Sequence, residues 1–391
     1  MTVASESFDS LPSGSSRRSQ WLLRHSWWTL IPWALLWAAV HFWSHGWSWH
    51  FFVTGVHALF SPAGLSVYVH HPELQMGPLA FVAAAPFVLF FPGQAGQLTG
   101  ILAITALGLV AVREIALIAY GAVSRITMQW FASSLLILIV WAEVAAQTEH
   151  FDDALAIVSA LIGLRLVRQS HPLAAAIMFG LAVDFKPWAL PFGLLLLLAA
   201  RRSWLPAAGL FVVVVAAAWL PFIVADPRTL EALHFGIRVD RDSTLHLIQP
   251  TATVTPGWDR YAQAGAAIVL SLIAIWRRQW AAVFTIVFAV RLLLDPGTKN
   301  YYDAGLVVGT ALFDLITAVG ALPFATMAAM LLVYLPSHVL VGLANVRGII
   351  RTIALVGLLA AVVVVPALTR RAPVAAPRRP SSPAQGERSH P

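Results

Sequence analysis

Two stretches of the chain, Leu190–Ala200 and Ala354–Leu368, carry no charged side chain and show no alternation of polar and apolar residues. Several other runs repeat the pattern. Only 11% of the 391 residues are charged, and 59% are hydrophobic. A soluble domain carries about 25% charged residues, so lipid must supply much of the solvent for this chain. Inside lipid every backbone N–H and C=O needs an internal partner, which leaves helices or closed barrels. Barrel strands are short, alternating segments of about ten residues. The unalternated runs predict an all-α, polytopic transmembrane protein of about 11–13 spans.

The polar ends frame that core. Residues 1–25 are Ser-rich and basic and are expected to be disordered in the cytoplasm, as is the Pro-, Ala- and Arg-rich tail 370–391. The transmembrane domain is expected over 26–369. Arg17, Arg18 and Arg24 precede an apolar run as in a signal peptide, but no small-residue cleavage site follows. Trp27–Trp43 is therefore read as a first, uncleaved span. With no cysteine, the redox compartment is not legible. The net charge of +7 sits in short clusters between apolar runs, which fits anionic lipid headgroups rather than nucleic acid.

Those clusters orient the chain. Arg165/Arg168, Arg201/Arg202, Arg277/Arg278 and Arg370/Arg371 each follow an apolar run. Placed in the cytoplasm, they put 44–77, 147–153, 184–188, 226–260 and 295–303 on the other side. The parity fails once. Gly77 and Trp130 fall on opposite sides, yet two clear apolar runs, Leu79–Phe91 and Leu98–Val112, separate them. Either Ile115–Val123 makes a short, protein-buried crossing or one run is re-entrant. The outer segments hold nearly all the acids and most of the histidines, so the working face is expected to be extracytoplasmic.

Four outer clusters carry chemistry. The first loop contains His45, His50, His57, His70, His71 and Glu73. It reads either as an interfacial loop or as an active-site lid, with Glu73 or a histidine such as His50 accepting a proton. Within 44–77 no His-x₃-His or His-Glu-x-x-His spacing occurs, so no metal is expected. The second cluster, Glu149-His150-Phe151-Asp152-Asp153, runs into a helix, whose N-terminus stabilises carboxylates by about 0.3–1 kcal/mol. It reads as an exposed loop or as a site for sugar hydroxyls or base work.

In the third cluster, Asp184 and Lys186 interrupt an apolar stretch just before Pro187-Trp188. They form either a structural pair or a phosphate site through Lys186. The fourth is Arg291, Asp295-Pro296, Lys299, Tyr301-Tyr302 and Asp303. An arginine inside an apolar run should face a cavity or a carboxylate, and Arg291 and Asp295 share a helix face. The tyrosines read as ligand contacts or as an aromatic belt. The outer loop 226–260, with Arg238, Asp240, Asp259 and Arg260 among its charges, is long enough to be functional. Asp314, near a cytoplasmic end, reads as structural.

Together these motifs resemble the GT-C superfamily of membrane glycosyltransferases, most of all glycosyltransferase family 87, which includes polyprenyl-phosphate-mannose-dependent mannosyltransferases. The resemblance rests on Val67-Tyr68 with Gln75-Met-Gly-Pro78, His150-Phe-Asp-Asp-Ala154, Gly180-Leu-Ala with Lys186-Pro-Trp188, and Arg291 with Asp295-Pro and Tyr301-Tyr302. It spans roughly Trp27 to Leu315. It implies transfer of a hexose from a polyprenyl-phosphate donor to a lipid or glycan acceptor on the outer face of a bacterial plasma membrane, with no cofactor. It implies Lys186, Arg291 and Lys299 as donor-phosphate ligands, and Tyr68, Gln75, His150, Tyr301 and Tyr302 as substrate contacts.

The family places its general base on an acid in the first outer loop. Here 44–77 contains no Asp. Glu73 or His50 substitutes, Asp152 or Asp153 does the work, or transferase activity has been lost. A transporter and a non-catalytic subunit with a decayed transferase fold are the rival readings.

Overall fold

A computed structural model describes residues 17–42, 46–119, 126–232, 234–317 and 322–364. The expectations for residues 1–16, His45, Trp43, Arg125 and the tail 370–391 lie outside these. Among the described residues the chain is helical, with no strand; Arg238 and Val254 form one isolated bridge. Four helices are long and apolar enough to cross a membrane: Gln94–Ala119, Met128–Gln147, Arg201–Ala225 and Ala344–Val363. Five shorter apolar helices stand among them.

In chain order the main helices are α1 (Arg17–Phe42), α2 (Trp49–Leu59), α3 (Pro78–Phe90), α4 (Gln94–Ala119) and α5 (Ile126–Ala142), extended by a π-helical turn, Glu143–Gln147. There follow α6 (Phe151–Arg168), α7 (Pro172–Phe185), a 3-10 helix (Pro187–Leu198), α8 (Arg201–Ala225), α9 (Asp259–Trp276), α10 (Ala282–Leu294) and α11 (Asp303–Thr317). α12 (Phe324–Ala329) continues through a second π turn, and α13 (Ala344–Val364) ends the described chain.

Proline punctuates one end of this bundle. A residue before proline is pushed out of the helical region. Lys186, Asp226 and Asp295 each precede a proline, each is extended, and each closes a helix. Three helices therefore deliver a charged side chain at their last turn on the same end. Arg165 and Arg168 mark the opposite end, where Arg168 donates to the Ile118 carbonyl and Arg165 meets Glu114 at 2.5 Å. Asp314 belongs to that end too. It accepts from the Ala325 and Thr326 amides, capping α12, which is a structural role.

The stretch between Gly77 and Trp130, where the crossings could not be paired from sequence, holds α3, α4 and the start of α5. α4 runs unbroken past Arg113 to Ala119, so Leu98–Val112 and Ile115–Ala119 belong to one helix, not to two segments. α3 has only 13 residues, about 20 Å of helix against about 30 Å of hydrocarbon. Its first residues follow Gly77, whose N–H donates to Phe185 O at 2.9 Å. Gln97, in the first turn of α4, donates to Glu149 at 2.9 Å. The contact at Gly77 requires glycine, since a Cβ would sit 1.9 Å from the Asp184 carbonyl.

Candidate functional site

The acidic end holds a cavity of about 470 Å³. The first loop, the α5–α6 turn, the Lys186–Pro191 break and the α9–α11 ends all contribute to it. Of the residues singled out from sequence, Tyr68, Glu73, Gln75, His150, Lys186, Arg291, Lys299, Tyr301 and Tyr302 line this one space. Four segments far apart in the chain thus converge.

Its deepest wall is a buried ion network. The extended backbone at Lys186 carries the ammonium onto Asp152, and 3.6 Å from Asp153. Asp153 accepts from Arg291 Nη1 at 3.0 Å and from Trp188 Nε1 at 2.9 Å. Arg291 also lies 3.7 Å from Asp295, with its guanidinium 4.3 Å from the Tyr302 ring centre and 4.8 Å from that of Trp188. These placements follow from the helix starts and stops. Asp152 and Asp153 open α6 side by side, so Lys186 reaches both while Arg291 reaches Asp153.

His150 sits over this network, stacked on Tyr301 at 3.7 Å and 16°. Its Nδ1 lies 3.4 Å from both Asp152 Oδ1 and Asp153 Oδ2. Its Nε2 lies 3.0 Å from the Ser48 hydroxyl. In the Nδ1–H tautomer the ring turns its proton towards the two carboxylates and Nε2 accepts from Ser48. The first loop is held in place for this contact: the Trp47 and Ser48 amides donate to the Gln147 and Thr148 carbonyls.

Several expectations change. His50 lies outside the cavity; it is exposed, packs on Phe51 at 3.9 Å and turns Nδ1 to the Trp47 carbonyl. It shares α2 with Phe51, but the cavity receives only Trp47, Ser48 and Phe51 from this segment. Glu73 stands at the rim, 40% exposed and 3.2 Å from His71. Lys186 does not pair with Asp184, because the break at Pro187 turns it to Asp152 instead. Asp184 is fully buried, and neither oxygen has a hydrogen-bond partner among the described residues. Asp152, Asp153, Lys186 and Arg291 engage one another, so the two acids and two cations are matched before any ligand arrives. Lys299 lies 3.4 Å from Asp240 and is half exposed.

Tyr68 donates to the Met76 carbonyl at 2.9 Å and stacks on Trp219, anchoring the first loop. Gln75 bridges elements: it donates to the Phe235 carbonyl at 3.1 Å and accepts from Arg260 at 2.8 Å. Ser48 and Arg260 escaped sequence reasoning as site residues. Nothing local marks a serine 102 positions from its histidine.

His150, Asp152 and Asp153 offer three donor atoms within 4.8 Å of one another. That spacing suits a cation, but Lys186 and Arg291 already supply two positive charges to the same carboxylates. The set is that of an ion-pair network. Desolvation pushes the Lys186 pKa down, but the carboxylates of Asp152 and Asp153 outweigh it and the net direction is up, whereas at Asp295 desolvation itself raises the carboxyl above its usual range. A larger cavity, about 610 Å³, lies at the basic end beside Asp314. Its walls are nearly all apolar and hold no proton-transfer pair.

The chain matches no protein-family model, no curated protein and no solved structure.

Proposed function

We propose that this protein is a GT-C-like membrane glycosyltransferase, closest in kind to family 87, that moves a hexose, mannose first among the candidates, from a polyprenyl-phosphate donor to a lipid or glycan acceptor at the outer face of a bacterial plasma membrane. The supporting observation is the buried chain Ser48–His150–Asp152/Asp153 opening on a cavity lined both by cations, Lys186, Arg260 and Arg291 among them, and by apolar side chains such as Leu190, Ala264, Ala267 and Val287. That arrangement accepts a proton where a lipid substrate can reach.

In the reaction the acceptor oxygen attacks the anomeric carbon as the bond from that carbon to the phosphate oxygen breaks. The acceptor proton passes to Ser48, whose own proton moves to His150 Nε2. The imidazolium so formed faces two carboxylates through Nδ1, which stabilises it as it develops. Cations in the same wall favour the departing phosphate. Twelve crossings fit this reading: α1, α4 to α7, the 3-10 helix, α8 to α13, with α2 and α3 lying at the outer interface and both termini in the cytoplasm. The exposed apolar faces of α8 (Val212, Val213, Val224) and α13 (Ile349, Ile353) support lipid contact.

Proteoliposomes test the proposal. Label should move from a polyprenyl-phosphate hexose to a lipid or glycan acceptor. Uptake of free solute without transfer would replace the enzyme with a transporter, and neither outcome leaves a non-catalytic subunit.

A further inference from the structure

Four cations line the acidic-end cavity, and three of them are committed to carboxylates. Lys186 holds Asp152 and Asp153, Arg291 holds Asp153 and Asp295, and Lys299 faces Asp240. Arg260 differs. Among the described residues no carboxylate lies within 4.0 Å of its guanidinium. Asp259 and Asp295 are near enough to feel its charge but make no ion pair with it. Its one side-chain hydrogen bond goes to the neutral Gln75, and its Nε is buried without a partner.

From this geometry we infer that Arg260 is the anion anchor of the cavity and that its ligand is a phosphate carried on a lipid chain. A guanidinium offers a planar fork suited to two phosphate oxygens. The lipid follows from the rest of α9. Ala264 and Ala267, four and seven residues on, fall on the same helix face and line the same cavity, facing Leu190 and Val287. A phosphate at Arg260 therefore places its attached chain along a wall of small and apolar side chains that leads into the bundle. Lys186 and Arg291, already paired, hold the two carboxylates that lie beside His150 Nδ1. The lipid's identity as a donor rests on the transferase reading; the anion site does not.

The test uses the purified full-length chain in detergent, with polyprenyl phosphate, the matching polyprenol and inorganic phosphate as probes. Wild type should bind polyprenyl phosphate at least about tenfold tighter than polyprenol, the scale of one charge-assisted contact. Arg260→Gln should reduce that preference to about twofold or less, and Arg260→Lys should keep an intermediate preference. Arg238→Gln, which removes an exposed cation on the neighbouring loop, should retain the full preference. An unchanged preference in Arg260→Gln overturns the assignment, as does displacement of the lipid by inorganic phosphate at equal concentration. Hexose transfer is assayed separately. Transfer that persists with unaltered KM in Arg260→Gln defeats this inference alone, whereas phosphate-dependent lipid binding without any transfer defeats the proposed reaction alone.

Discussion

The Ser48 hydroxyl and His150 Nε2 meet at 3.0 Å across 102 residues of chain, in a site whose imidazole is backed by two carboxylates. If this pair carries the proton, His150→Gln should lower kcat by about 10²–10⁴-fold, and Ser48→Ala should lower it by a smaller factor. Glu73→Gln should cost less than about tenfold, because Glu73 stands exposed at the rim. Steady-state transfer rates for the three variants decide the matter. A larger loss in Glu73→Gln than in His150→Gln returns the base to the first loop.

Removing a single member of the buried network strands the others. Asp152 is fully buried, so Lys186→Met should destabilise the fold by about 3–5 kcal/mol, the usual cost of leaving a buried charge unpaired. Adding Asp152→Asn to Lys186→Met should restore most of that loss. Thermal unfolding in detergent reads both. Equal stability of the single and double variants would mean that Asp152 is not the partner that matters.

Glu149 gives the fold a pH dependence. Burial pushes its carboxyl up from 4.5 to about 8, against the hydrogen bond from Gln97. The folded chain keeps a proton that the unfolded chain gives up near pH 4.5, so unfolding favours proton loss as pH rises. Stability from this group is complete below about pH 4.5 and declines as pH climbs through about 8. Glu149→Gln should flatten the decline, and above pH 8 it should be the more stable protein. Parallel unfolding midpoints for the two proteins from pH 4 to 9 would contradict this.

The absence of cysteine makes topology directly measurable. Single cysteines at Ser61, Gly93 and Arg241 should react with a membrane-impermeant maleimide from one side of sealed vesicles, and one at Arg201 only from the other. Gly93 is the decisive position: it follows α3, and labelling from the Arg201 side would make α3 a true crossing.

Much of the architecture was readable because it is written in local chemistry. Unalternated apolar runs made the helices, and Lys186-Pro187, Asp226-Pro227 and Asp295-Pro296 ended them where the pattern said they would end. The gathering of Lys186, Arg291, His150 and the tyrosines on one side was also legible, because basic clusters marked the other side. Pairing was not. Asp184 is two residues from Lys186 and was one of two readings for it, a phosphate site being the other, but the extended backbone before Pro187 turns Lys186 across to α6. His50 looked more promising than Ser48 by residue type alone, and only the docking of the first loop on the 147–148 backbone separates them. α3 resisted for another reason: a 13-residue apolar helix has the same composition whether it dips into a bilayer or lies at its edge.

The helices around the site are short. α7 has 14 residues, α10 has 13 and α11 has 15, about 20–22 Å each, whereas α4 with 26 spans about 39 Å. Against about 30 Å of hydrocarbon, none of the three crosses unaided, so in a bilayer that α4 spans the cavity at their ends would lie below the headgroups. On the proposed transferase reading, such a depth favours an acceptor hydroxyl carried on a lipid over bulk water, and so transfer over hydrolysis.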